Sequence, residues 1–185
     1  MRIVAIEGLS GVGKSTLAPL VAERLDAQLL PTIPRDLGVY RKQADDGDDP
    51  TFRHLFYVWA IATACQRAAA APTDSLWVAE SYIGRAMAFH IGMGSTLWVS
   101  PWTLVPKPVL SVMVTCDDPI RRERIRQRGV PPHWHQRAED STEPIRGAYR
   151  PFADVEVPND ENSPEVTADR IVQLVTAKLE EGQYR

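Results

Sequence analysis

The sequence predicts a three-layer α/β fold: a five-stranded parallel sheet with helices on both faces. Three observations carry that prediction. Short apolar, β-branched runs alternate with amphipathic helical stretches along the 185 residues, the pattern of strands buried on both faces by crossover helices. The first run leads directly into a glycine-rich loop, "EGLSGVGKST" (7–16), which itself opens a helix. No internal repeat or break in composition divides the chain, so a single domain over 1–185 is expected.

The elements follow in order. "RIVAIE" (2–7) is a buried strand. In "KSTLAPLVAERL", Leu17, Leu20, Val21 and Leu25 recur with a helical period, and Pro19 falls in the first turns, where a missing N–H is tolerated best. "QLLPTI" reads as a second strand. "ADDGDDP" (44–50) lacks the ligand spacing of a calcium loop and reads as a solvated loop. "TFRHLFYVWAIATACQRAAAA" is a long, alanine-rich helix, "SLWVAES" a third strand and "YIGRAMAFHI" a helix. Gly, Ser and Pro break "GMGSTLWVSPWTLVPKP" into a loop with a helical turn. "VLSVMVT" is the fourth strand and "DPIRRERIRQRG" the helix after it. "VPPHWHQRAED" reads as loop, its two histidines lacking the further ligands of a metal site, and "STEPIRGAYRPFA" as helix. "VEV" is the fifth strand. The final helix, "SPEVTADRIVQLVTAKLEEG", has Ser163 as N-cap and Pro164 at its first position.

Composition narrows the classes. Hydrophobic content of 44% and charged content of 24% are ordinary for a globular domain. A net charge of -3 argues against wholesale nucleic-acid binding. No run approaches the ~20 apolar residues of a membrane span, and the N-terminus lacks the shape of a secretory signal. A cytoplasmic protein that contacts neither membrane nor nucleic acid is expected. Cys65 and Cys116 are isolated and read as reduced thiols.

The glycine loop fits G-x-x-x-x-G-K-[ST] through Gly8, Gly13, Lys14 and Ser15. In such a loop the backbone of Gly8, Ser10, Gly11, Val12, Gly13 and Thr16 cradles phosphates at a helix N-terminus. Lys14 reaches the β and γ oxygens, and Ser15 ligates magnesium. The expectation is a P-loop NTPase fold that takes ATP and Mg2+. In "RRERIRQRG", Arg121, Arg124 and Arg128 share one helix face, with Arg122 and Arg126 on a neighbouring one. Arginines there suit a lid, over about 121–142, that closes on a transferring phosphoryl group. Glu80 ends the third strand, where ligands of an open parallel sheet lie; a carboxylate there suits a magnesium shell or a base for an acceptor hydroxyl.

With these pieces placed, the sequence resembles the thymidylate-kinase-like and deoxynucleoside-kinase-like branch of P-loop kinases. "IEGLSGVGKST" looks like that family's phosphate loop with its leading glutamate. "HLFYVWA" (54–60) is similar to the helix that supplies an aromatic to stack on the acceptor base, which makes Phe56 that ring. "ESYIGRAMAFH" (80–90) resembles the D-R-[YH] motif with the later A-Y-Q, and "RIRQRG" (124–129) the start of the lid. The resemblance implies an ATP-dependent phosphotransferase with Lys14, Glu80, Arg124 and Arg128 as catalytic residues, helped by Arg121 and Arg126. It also implies a homodimer packed through the long helices. Departures fall on the acceptor side. Ser10 stands where thymidylate kinases usually carry an acid, and Ser81 where the motif has arginine, so thymidine monophosphate is not the expected acceptor. Arg35 and Arg85 are candidates to replace the lost arginine. The expected pocket for a flat-ringed acceptor lies between Arg35, Phe56, Tyr82, Arg85 and Trp98. A nucleotide, a nucleoside and a specialised metabolite all remain open as acceptors, as does a nucleotide switch that transfers nothing.

Overall fold

The computed structural model describes residues 1–72, 74–129, 133–160 and 163–183, with the side chains of 133, 135, 182 and 183 outside that description. The strands are β1 (Arg2–Glu7), β2 (Gln28–Leu30), β3 (Leu76–Glu80), β4 (Leu110–Thr115) and β5 (Val155–Pro158). They form one all-parallel sheet in the order β2-β3-β1-β4-β5. The helices are α1 (Lys14–Arg24), α2 (Gly38–Asp46), α3 (Pro50–Ala68), α4 (Ile83–Gly92), α5 (Asp118–Gln127), α6 (His133–Asp140), α7 (Thr142–Tyr149) and α8 (Pro164–Gln183). The predicted architecture is therefore the observed one.

The pleat of β1 explains why its apolar run is nearly continuous. Val4 and Ile6 pack with Leu17 and Val21 of α1 and Ile171 and Val175 of α8. Ile3 and Ala5 point the other way, onto Val58 and Ile61 of α3 and Ile83 and Met87 of α4. Successive side chains enter opposite layers, and each layer needs an apolar one. Cys65 is buried in the second layer. No helix among the described residues is long and apolar enough to cross a membrane.

Three local expectations are corrected. β2 stops at Leu30, short of Thr32, whose hydroxyl donates to the Glu80 and Ser81 carbonyls instead of extending a ladder. The acidic stretch 44–50 is half helical: α2 runs through Asp46, supported by the i,i+4 pairs Arg41–Asp45 and Lys42–Asp46. Asp49 then caps α3, accepting from the Thr51 N–H at 2.8 Å with Pro50 at the first position. Finally, the stretch after α5 is helix α6 rather than loop, because it has Trp134 to bury. Residues 130–132 of the expected lid lie outside the described residues, as do the side chains of both histidines in "HWH".

Candidate active site

β1 ends at Glu7 and its neighbour β3 at Glu80, with Ile6 paired to Glu80 across the ladder. The chain leaves β1 toward one sheet edge and β3 toward the other, and such a reversal opens a crevice at the carboxyl ends of the strands. The glycine loop fills one side of it. Gly8, Gly11 and Gly13 take φ of 135°, 89° and 102°, a region that side chains rarely enter.

The loop carbonyls are tied back by side chains. The Tyr149 hydroxyl donates to the Gly8 carbonyl at 3.0 Å and Lys14 Nζ to that of Leu9 at 2.7 Å. Arg121 donates to the Ser10 carbonyl at 3.3 Å, and Asn159 to that of Val12 at 2.8 Å. Thr167 in turn fixes Asn159 by donating to its side-chain oxygen at 3.0 Å. With the carbonyls tied back, the loop amides at the start of α1 are left for an anion. This cradle fits the phosphates of a nucleotide. Ser15 and Thr16 are exposed on the first turn of α1, beside it.

Two buried charges face the loop. Burial pulls the Lys14 ammonium down to about 7, and nearby Arg85 adds to the effect. Burial likewise pushes the Glu7 carboxyl up to about 7, against the pull of Lys14 and Arg85. The backbone N–H groups of Gly84 and Arg85 donate to Glu7, and its Oε2 is buried without a partner. Glu7 therefore caps the N-terminus of α4 from another strand; Tyr82, the N-cap in sequence, makes no side-chain cap bond. A Cβ on Gly84 would lie 2.7 Å from Glu7 Oε1 and 2.9 Å from Phe152 Cβ. Gly84→Ala should accordingly destabilise the protein by about 1–3 kcal/mol, read as a lower thermal midpoint. An unchanged midpoint would mean that this close approach yields without cost.

Beyond Glu80 lies a cleft of 270 Å³, lined by Thr32, Ile33, Arg41, Arg53, Tyr57, Ile61, Glu80, Ser81, Arg85, Ala86, Phe89 and His90. Arg85 joins it to the loop, donating to Ser10 Oγ at 3.1 Å and to the Gly8 carbonyl at 3.4 Å, with its guanidinium 4.0 Å from the Phe89 ring centre. A second cavity of 310 Å³ flanks the loop between Gly13, Thr16, Arg124, Gln127, Arg128, Asn159 and Pro164. Arg124 is steadied there by the Asp160 carbonyl at 3.4 Å and Cys116 Sγ at 3.5 Å.

Several expected site residues lie elsewhere. Phe56 packs with Leu37, Ala44 and Ala60 under α2, because the face of α3 that meets the cleft carries Arg53, Tyr57 and Ile61, spaced by four. Tyr82 is a core residue whose hydroxyl donates to the Pro106 carbonyl at 2.9 Å. Arg35 lies on a short turn by Pro34, Asp36 and Trp77, away from the cleft. Trp98 is 91% exposed and lines neither of these two cavities. Arg121 is 1% exposed and held by Asp118 at 3.0 Å and Glu139 at 2.5 Å, so it braces the loop from behind rather than closing over a ligand. Arg126 faces solvent and pairs with Glu123 at 2.7 Å. Sequence reasoning missed Glu7 as a cap, Asn159 as a brace, and Arg53, Tyr57 and Thr32 in the cleft. The four-residue spacing of Arg53, Tyr57 and Ile61 is the signal that was available for the α3 face.

Sheet order, glycine loop and strand-end carboxylates together define the P-loop kinase fold. The chain matches no protein-family model. Over 57 residues it is 46% identical to the human UMP-CMP kinase 2, mitochondrial, a match that takes in 30% of this chain and 12% of that protein. This chain thus spans a small part of that curated relative. Among solved structures, thymidylate kinase from Candida albicans superposes with a TM-score of 0.70 at 14% identity, over 95% of this chain and 91% of that one. Deoxyadenosine kinase from M. mycoides gives 0.69 at 14% identity, over 95% and 100%. Shikimate kinase from Acinetobacter baumannii is more distant, at 0.56 and 16% identity over 96% and 94%.

Proposed function

We propose that the chain is an ATP- and magnesium-dependent kinase that passes the γ-phosphoryl group to a nucleotide or nucleoside-like acceptor other than thymidine monophosphate. The observation that carries this reading is Arg85, bonded to the phosphate loop while lining the cleft beside it. A switch that only binds nucleotide has no use for a second cleft so joined. The names of the similar proteins given above, which are kinases, support the same reading.

In this mechanism Lys14 and the loop amides bind the donor's phosphates, and Arg124 and Arg128 flank them from the second cavity. We take Ser15 and Glu80 as the residues that would hold magnesium, which when bound would neutralise charge on the phosphate oxygens. Arg85 bridges the two halves and suits an anionic group on the acceptor, while half-buried Tyr57 is the aromatic side chain of the cleft wall best suited to meet a flat one. Glu80 can instead take a proton from an acceptor hydroxyl. We assign the homodimer contact to the exposed Phe52, Leu55 and Trp59 on α3.

The test is ADP release with ATP and magnesium over a panel of nucleosides, nucleoside monophosphates and simple hydroxyl compounds, with Lys14→Ala as blank. Stimulation by monophosphates is expected. Stimulation by nucleosides alone would make Glu80 the base. ATP binding without any stimulation would favour a specialised metabolite or a switch over this reading.

A further inference from the structure

Arg53 is among the most constrained side chains of the cleft. It is 8% exposed. Its Nε donates to Asp45 at 2.8 Å, one Nη to His90 Nε2 at 2.8 Å and the other to the Tyr57 hydroxyl at 3.1 Å. The guanidinium carbon lies 4.6 Å from the Tyr57 ring centre and 5.3 Å from that of Phe89. Three of its five N–H groups are thus spent within the protein.

The bond to His90 requires one protonation state. His90 Nδ1 lies 2.6 Å from the Ala86 carbonyl. A carbonyl can only accept and an arginine can only donate, so the proton is on Nδ1 and Nε2 is bare. Burial and the Arg53 charge hold this imidazole neutral. Its ring stacks on that of His54 at 5.0 Å and 7°, which fixes its plane. His54 is itself buried and keeps to a neutral form, anchored to Ser95 Oγ at 2.9 Å.

We propose that His90 is a positioning residue for acceptor recognition: as a neutral Nδ1–H imidazole it fixes the guanidinium of Arg53 so that the remaining N–H groups meet an oxygen-rich edge of the acceptor, such as the ring carbonyls of a pyrimidine. The inference rests on the reading of the cleft as the acceptor site. Arg85 occupies the end nearest the phosphate loop, and Arg53 is tied to α2 through Asp45. An acceptor spanning the two would place its anionic group at Arg85 and its ring edge at Arg53, with Phe89 in contact with both guanidiniums. A ring that offers only donors along that edge would leave buried N–H groups unmatched and be rejected.

The test compares His90→Leu, which removes the accepting nitrogen, with His90→Gln, whose amide oxygen can stand near Nε2. With a substrate found on the panel, His90→Leu should raise the acceptor KM about tenfold to a hundredfold, the size of one charge-assisted hydrogen bond, with a far smaller change in the ATP KM. His90→Gln should recover most of that loss. Equal losses in both variants, or a loss shared by ATP, would overturn positioning and leave a packing role. Nitrogen NMR at pH 7 separates this from the kinase reading, since it needs no substrate. The expected spectrum shows an Nδ1–H tautomer at His90 and an Arg53 guanidinium signal that is slow to exchange in the wild type and His90→Gln but lost in His90→Leu. An Nε2–H tautomer, or an Arg53 signal indifferent to His90, would sink the inference even where the enzyme proves active.

Discussion

Replacing Lys14 with alanine should lower turnover by at least about a hundredfold, the scale of losing one pre-organised donor in a water-poor site. Lys14 is 7% exposed and spends its ligand-free state donating to the Leu9 carbonyl at 2.7 Å. It is thus held inside the cradle rather than drawn in from solvent, so little reorganisation precedes its contact with a phosphate. Burial lowers it to about 7, and a phosphate's negative charge reverses that pull. The linkage has a definite sign. Above about pH 7 the ligand-free ammonium gives up its proton, so ATP must bring one back to bind. ATP affinity should therefore weaken as pH rises from 7 toward 10.5, the ordinary lysine value, and this dependence should vanish in Lys14→Ala. The same depression means that the folded state forfeits stability as pH falls from 10.5 through 7. Alanine should not lower the thermal midpoint of the ligand-free protein at neutral pH. Turnover within tenfold of wild type would remove Lys14 from the reaction, and with it the phosphate-loop assignment.

How legible these features are in the sequence depends on how far apart the cooperating residues lie. The phosphate loop is contiguous, and its strand–loop–helix setting shows in the neighbouring letters. Phe56 illustrates the next case. "HLFYVWAIA" is apolar nearly all round, so its periodicity gives a helix without giving the phase, and a shift of one residue exchanges Phe56 for Tyr57 at the cleft. Trp98 and Trp134 differ more: one is 91% exposed and the other 1%, a contrast that the letter W does not contain. The braces of the loop lie furthest from local reading. Asn159 reaches Val12 across 147 residues and Arg121 reaches Ser10 across 111. In sequence Arg121 is indistinguishable from Arg124; its pairing with Asp118 and with Glu139, folded back on α6, is what buries it behind the loop. Sheet and phosphate loop thus follow from local patterns, whereas the cleft proposed for the acceptor is assembled from α2, α3, α4 and the ends of β2 and β3, whose mutual phase is a tertiary property.

The second large effect is expected at Glu7, and it should run in opposite directions for stability and for function. Glu7 is 1% exposed, and its carboxyl sits at about 7 rather than the ordinary 4.5, because desolvation outweighs the attraction of Lys14 and Arg85. A carboxyl raised in the folded state contributes stability that is full below 4.5 and is lost as pH climbs through 7. Glu7→Gln keeps an oxygen for the N–H groups of Gly84 and Arg85 but carries no charge. Its thermal midpoint should pull ahead of wild type between about pH 4.5 and 7 and hold a constant lead above, with an upper limit of about 3 kcal/mol. Turnover should fall in the same variant. The charge that burdens the folded chain also steadies Lys14 and Arg85, and a neutral amide leaves two cations facing each other across the loop. Glu7→Ala, which removes the cap of α4 as well, should lose more activity than Glu7→Gln, through a weaker acceptor KM, because α4 carries Arg85 and Phe89 into the cleft. The deciding measurement is a pair of unfolding curves at pH 5 and pH 8. A midpoint for Glu7→Gln below wild type at both would show that ion pairing with Lys14 and Arg85 outweighs burial. The carboxylate would then be a stabilising member of the site, and its orphaned oxygen no cost to the fold.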